Sequence, residues 1–109
     1  MPKRGIGDAS YGITATALGV AIDDNSLTVE LSDGRTLVVP ITWYPRLKHA
    51  TPTERSNNRL IGGGTGIHWP DLDEDISVAN LVLGQPSSES QASLEKWLAS
   101  RGTIPRTPR

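Results

Sequence analysis

Leu18-Gly19-Val20-Ala21-Ile22-Asp23-Asp24-Asn25-Ser26-Leu27-Thr28-Val29-Glu30-Leu31-Ser32-Asp33-Gly34-Arg35-Thr36-Leu37-Val38-Val39-Pro40-Ile41 is the stretch that decides the fold. Leu18, Val20 and Ile22 alternate with small residues. Leu27, Val29 and Leu31 alternate likewise, and so do Leu37, Val39 and Ile41. A period of two gives each segment one apolar and one wet face, which predicts three strands. Antiparallel pairing of Ile22 with Leu27 and Val20 with Val29 leaves Asp24-Asn25 as a two-residue turn, expected to be of type I′. At the second turn, a two-residue loop would put the apolar sets on opposite faces. A three-residue loop, Ser32-Asp33-Gly34, opposes Leu31 to Arg35 and Val29 to Leu37 and keeps the faces together. It requires Gly34 to be left-handed in a bulge. Pro40 fits only where the ladder needs no donor.

Outward from this meander the signals change. Thr51-Pro52-Thr53-Glu54 reads as a capping box opening a short helix that runs to about Asn58. Arg59-Leu60-Ile61 and Ile67-His68-Trp69 read as short strands on either side of a glycine-rich bend. Ser77 caps a brief helix, Val78 to Leu83, stopped by Gly84. Ser87 or Ser88 caps a last helix, roughly Glu89 to Arg101, with Leu94, Trp97 and Leu98 as its apolar stripe and Gly102 as its stop. The expected architecture is α+β: a three-stranded antiparallel meander, short helices, and a C-terminal helix packed on the sheet. The expected organisation is a flexible leader over 1–14, one α+β domain over 15–102 and a disordered tail over 103–109.

The chain has 109 residues, 11 basic and 12 acidic, for a net charge of -1. That balance argues against general nucleic-acid or membrane-surface binding, which draws on excess positive charge. There is no cysteine, which removes disulfides and thiolate chemistry. No stretch has the length and apolarity of a signal peptide or a bilayer span, so a cytoplasmic location is expected. With three Trp, two Tyr and no Phe, the core must be aliphatic, with the rings as local anchors.

Four groups of residues carry candidate chemistry. Gly62-Gly63-Gly64-Thr65-Gly66 has glycines able to approach a phosphate, but no Lys-Ser or Lys-Thr follows. A bend where neighbouring backbone comes close is the better reading. His68, Asp73, Glu74 and Asp75, with Asp71, form the densest polar cluster. They suit a divalent cation or acid–base work, although neither EF-hand spacing nor an HExxH pair is present, and a solvated acidic loop explains them as well. Arg46, Arg55 and Arg59 are candidates for weak nucleic-acid contact, weighed against intramolecular ion pairing. Trp43, Tyr44, Arg46 and Trp69 have the composition of an interaction hot spot. Trp69, next to glycines that cannot cover it, is expected to be half-exposed. The weighed alternative is that these rings serve packing alone. No serine has a nucleophile-elbow context, and no cofactor is expected.

Trp43-Tyr44-Pro45-Arg46-Leu47, Ala50-Thr51-Pro52 with Glu54-Arg55, Gly64-Thr65-Gly66-Ile67-His68-Trp69-Pro70, and Leu72-Asp73-Glu74-Asp75-Ile76-Ser77-Val78 together resemble a small bacterial family catalogued as domain of unknown function twenty-four forty-two. The resemblance covers most of residues 18 to 84 in order. It implies a small α/β protein, in many members encoded beside another short protein in the manner of toxin–antitoxin pairs. It brings no established catalytic residues. Some members are fused to a helix-turn-helix domain, for which the segment after Gly102 has no room. The expected function is a non-catalytic protein-interaction module, antitoxin-like or accessory, binding a protein partner or a second copy of itself. The alternatives are a metal-dependent or acid–base module at the His68 cluster and a weak nucleic-acid binder.

Overall fold

The computed structural model describes residues 14–102. The expected leader and tail, apart from Thr14, lie outside the described residues. The fold is α+β. Strands β1 (Ala17–Ile22), β2 (Ser26–Leu31) and β3 (Thr36–Pro40) form an antiparallel meander in the order β1-β2-β3. Helices α1 (Pro45–Lys48) and α2 (Pro52–Ser56) lead to a second antiparallel sheet of β4 (Arg59–Ile61), β5 (Gly66–Trp69) and β6 (Glu74–Ser77). Helices α3 (Val78–Leu83) and α4 (Gln91–Ser100) follow. One apolar cluster joins both sheets: Leu27, Val29 and Leu31 from the first, Ile67, Trp69 and Ile76 from the second, with Tyr44, Leu47, Leu72, Val78 and Leu81 between them.

The register follows the parity argument. Val20 opposes Val29, Ile22 opposes Leu27 and Val29 opposes Leu37. Gly34 has φ 95°, and the Leu31 N–H donates to the Arg35 carbonyl at 2.8 Å. That geometry requires a residue without a Cβ penalty. Gly34→Ala is expected to cost about 1 kcal/mol, read as a lowered urea midpoint with an unchanged slope.

Two details of the meander differ from the sequence expectation. The ladder shifts between Ala17 and Gly19. This bulge extrudes Leu18, which is 64% exposed, and turns Ala17 into the core in its place. A bulge inverts the facing of everything beyond it, which alternation alone does not report. The first turn is not type I′, because neither Asp24 nor Asn25 has positive φ. Instead Asp23 Oδ1 accepts from the N–H groups of Asn25 and Ser26, at 2.7 Å each. The side chain replaces the backbone conformation as the source of the bend.

The capping box at Thr51 and Glu54 forms with both reciprocal bonds, but α2 stops at Ser56 rather than Asn58. Arg59 opens β4, the short strand expected over Arg59 to Ile61. Ser77 caps α3, and Gly84 ends it at φ 75°. The last helix is capped by Ser90, not Ser87 or Ser88. Glu89, just before that cap, is drawn onto Arg46 and onto the Ser93 hydroxyl. The glycine-rich segment is a bend under close approach: a Cβ on Gly64 would stand 2.7 Å from the Ala17 carbonyl oxygen. Among the described residues no helix is long and apolar enough to cross a membrane.

Candidate functional site

The acidic run is not a loop but the approach to β6 and β6 itself, and strand alternation disperses its carboxylates. Glu74 and Ile76 lie on the inner face of the second sheet, and Glu74 opposes the buried Trp69. Asp75 lies on the outer face, against His68 Nδ1 at 2.5 Å. Asp71 accepts from Asn57 Nδ2 at 2.9 Å. Asp73 sits at the turn with φ 51°, a left-handed conformation that aspartate tolerates better than most residues. Among the described residues no three His, Asp or Glu side chains converge on a position for a metal ion. The physical reason is parity: neighbours along a strand point to opposite faces, so His68 and Glu74 cannot share a ligand.

A cleft of about 400 Å³ opens beside the inner face of β6. Tyr44, Arg46, Asp73, Glu74 and Asp75 line it, together with Ser77, Asn80 and the segment from Gln85 to Glu89. Five of the residues singled out from the sequence thus meet in one place. Trp43, His68 and Trp69 do not line it. Trp69 is wholly buried beneath the second sheet, with Nε1–H donating to the Arg55 carbonyl at 2.9 Å. This corrects the expectation of a half-exposed ring. The glycines indeed cannot cover it, but the buried cluster to which it belongs, with Leu47, Leu72 and Val78 among its members, encloses it. Trp43 is half-buried at the cluster's margin, and its carbonyl accepts from Ser87 N–H at 3.0 Å. Tyr44 is buried, and its hydroxyl donates to the Gln85 carbonyl at 3.3 Å. Burial, then the nearby Glu74, push its phenol up to about 12.

Arg46 acts as a clasp. Its Nε donates to both Glu89 oxygens at 3.0 Å, and Nη2 to Glu89 Oε2 at 2.8 Å. Nη1 donates to the carbonyls of Leu72 at 2.9 Å and Asp73 at 3.2 Å. The guanidinium also lies 5.1 Å from the centre of the Trp97 ring, and Arg101 lies 4.6 Å from the same ring. Arg101 in turn pairs with Glu54 at 2.8 Å. The last helix is therefore tied to α1 and α2 by a ring held next to two guanidiniums. Arg55, 7% exposed, binds Asp24 and the carbonyls of Leu47 and Lys48. Two of the three arginines considered for nucleic acid are thus occupied within the chain.

Glu74 is the electrostatic anomaly. No hydrogen bond reaches its carboxyl among the described residues. Burial raises it from the usual value to about 7, although Arg46 opposes the rise. Glu89 is held below the usual range by Arg46, and Glu54 falls to about 2 beside Arg101. The signs are opposite. Glu74, raised in the folded state, contributes stability that is fully present below its unfolded value near 4.5 and lost as pH rises through about 7. Glu54 contributes stability present above about 4.5 and lost as pH falls towards about 2. Glu74→Gln is therefore expected to be more stable than wild type at alkaline pH, by about 1–2 kcal/mol after allowance for solvent screening. That advantage should vanish in mild acid. Urea titrations at about pH 5 and about pH 8 check this, and equal stability of the two proteins at the higher pH would refute it.

Glu89, Asn80 and Ser93 escaped the sequence reading. Glu89 stood among serines that suggested a helix cap, and its partner Arg46 is 43 residues away. The only local sign was a carboxylate placed before a helix N-terminus.

The architecture has solved counterparts. A protein of unknown function from Rhodospirillum rubrum shares 26% identity at a TM-score of 0.60, covering 73% of this chain and 96% of that one. An uncharacterized protein from Chromobacterium violaceum, at 22% identity and a TM-score of 0.58, covers 83% of this chain and 79% of that one. The second likeness concerns the fold alone. No curated protein matches the chain. The family described as Protein of unknown function (DUF2442) matches residues 18–87, the span that holds both sheets, Arg46 and most of the cleft, and the chain belongs to that family.

Proposed function

We propose that the protein is a non-catalytic interaction module whose cleft beside β6 receives a cationic group of a protein partner. The companion would be the second member of a bacterial pair, with this chain in the antitoxin-like or accessory role, or alternatively a second copy of this chain. The observation that carries the reading is the charge of the cleft. Asp73, Glu74, Asp75 and Glu89 line it, and the basic residue there, Arg46, is already bonded to Glu89 and two carbonyls. Glu89 is taken up by Arg46 and Asp75 stands against His68, so a lysine or arginine entering from outside would meet Asp73 and Glu74, the second a carboxylate that burial already makes costly to ionise. The anchor is thus Tyr44 and the carboxylates, with Trp69 supporting them from below.

The test is a native pull-down with mass spectrometry using wild type and Asp75→Arg, a reversal at an exposed lining position. A companion retained at a fixed ratio by wild type, and weakened at least tenfold by the reversal, supports the reading. Equal retention by both, or a wild-type chain that is monomeric and alone, overturns it.

One observation favours a second reading, an acid–base module: a carboxyl raised to about 7 in a cleft is suited to proton transfer. Three of the four serines that line the cleft are otherwise engaged. Ser77 caps α3, Ser87 accepts from the Glu89 N–H, and Ser93 donates to Glu89. Turnover lost in Glu74→Gln, with companion binding intact, would favour this reading over docking.

A further inference from the structure

We propose that the open edge of β6 takes up an extended segment of the partner as a fourth strand, with a lysine or arginine entering the acidic cleft and the adjacent aliphatic residue entering a second cleft on the other face. This deepens the docking function above and rests on it.

The ladder decides which groups of β6 are available. The Val78 N–H donates to the Thr65 carbonyl at 2.9 Å, while the Thr65 N–H turns back to Gly62, so this pair holds a hydrogen-bonded position of the ladder through one bond. In an antiparallel ladder such pairs alternate. Ile76 with Ile67, and Glu74 with Trp69, are then the next bonded pairs in the register. The N–H and C=O groups of Asp75 and Ser77 therefore face away from β5. The Ser77 carbonyl serves the first turn of α3, which Ser77 caps. Asp75 N–H, Asp75 C=O and Ser77 N–H are left facing outward. Among the described residues no strand pairs with this edge. Such an edge is a template for strand addition.

The two clefts supply side-chain selectivity. The second, of about 530 Å³, is lined by Ala15, Ile61, Val78 and Ala79 with Thr65 and Gly66, and it shares Asp75, Ile76, Ser77 and Asn80 with the acidic cleft. The shared residues show that the clefts meet along β6. Successive side chains of an added strand point to opposite faces, so one enters carboxylate surroundings and the next enters an aliphatic one. Charge complementarity sets the occupant: an acidic segment would face Asp73, Glu74, Asp75 and Glu89, whereas a segment alternating basic and aliphatic residues satisfies both clefts.

An amide NMR titration of the whole chain with a blocked heptapeptide of alternating lysine and valine tests this. Two control peptides accompany it, one with glutamate in place of lysine and one N-methylated at alternate amides. The expected result is saturable shifts centred on Asp75, Ser77 and Asn80, with slowed exchange of the Asp75 and Ser77 amides. The glutamate peptide should not saturate. N-methylation should weaken binding about tenfold, as expected for losing the peptide N–H that bonds the Asp75 carbonyl and setting methyl groups against the edge. If the N-methylated peptide binds equally while Glu74→Gln weakens both, the cleft takes a cation without strand addition. That overturns this inference and leaves the docking function standing. Shifts confined to β3 or β4, or no saturable shift with the lysine peptide, also overturn it, and the pull-down then judges the docking function separately.

Discussion

Trp69→Ala is expected to cost about 3–5 kcal/mol, a large part of the stability of a domain this size. The ring is the largest of the fully buried side chains and lies in the cluster that joins the two sheets. Truncation opens a cavity between elements that cannot close over it without breaking β5–β6 pairing. Trp69→Phe separates the contributions. The Arg55 carbonyl that Trp69 serves also accepts from Asn58 Nδ2 at 3.0 Å, so losing the indole donor does not orphan that oxygen. The phenylalanine variant should lose about 1–2 kcal/mol, mostly as volume. Urea denaturation followed by circular dichroism measures both. In a background with Trp43 and Trp97 replaced by Phe, the Trp69 emission should be blue-shifted and poorly quenched by acrylamide. An alanine variant melting within a degree or two of wild type would place the ring at the surface and undo the account of the second sheet.

Val29→Asp is the second change of this size. Val29 is 1% exposed in the central strand of the meander, with Val20 and Leu37 opposite it on either side. A carboxylate there has no cation to pair with in the cluster around it. It either stays charged in an apolar site or takes up a proton at a large cost, and about 3–5 kcal/mol is expected. The loss should be smaller in mild acid, where protonation removes the charge, so the two conditions together identify burial as the cause. A destabilisation independent of pH would point instead to a loss of strand pairing.

The sites of these two residues differ in how far they could be read beforehand. Val29 is placed by alternation, a local property, and by turn lengths that allow only one register keeping the apolar faces together. Trp69 carries no such local mark. Its glycine neighbours suggested exposure, and what encloses it is a cluster drawn from both sheets and the helices between them.

The strands of the meander, the left-handed Gly34, the capping box at Thr51 and Glu54, and the Ser77 and Gly84 boundaries of α3 were determined by the sequence alone. Each depends on residues within a few positions of one another, where sterics and a single hydrogen bond decide the outcome. The resemblance carried by Trp43 to Pro45, Ile67 to Pro70 and Leu72 to Val78 identified the family, but brought no residue role with it. Tertiary structure decided the rest. The bulge that expels Leu18 depends on what packs beneath β1. The carboxylates of Asp73, Glu74 and Asp75 line one cleft, yet alternation along β6 gives them different surroundings: Glu74 stands opposite the buried Trp69, and Asp75 stands against His68. The ionisation of Glu74 depends on enclosure by Tyr44, Arg46 and the Gln85–Glu89 segment. Desolvation and long-range ion pairing are set by distance in space, and Arg46 and Glu89, 43 positions apart, share no local signal through which that distance could be read.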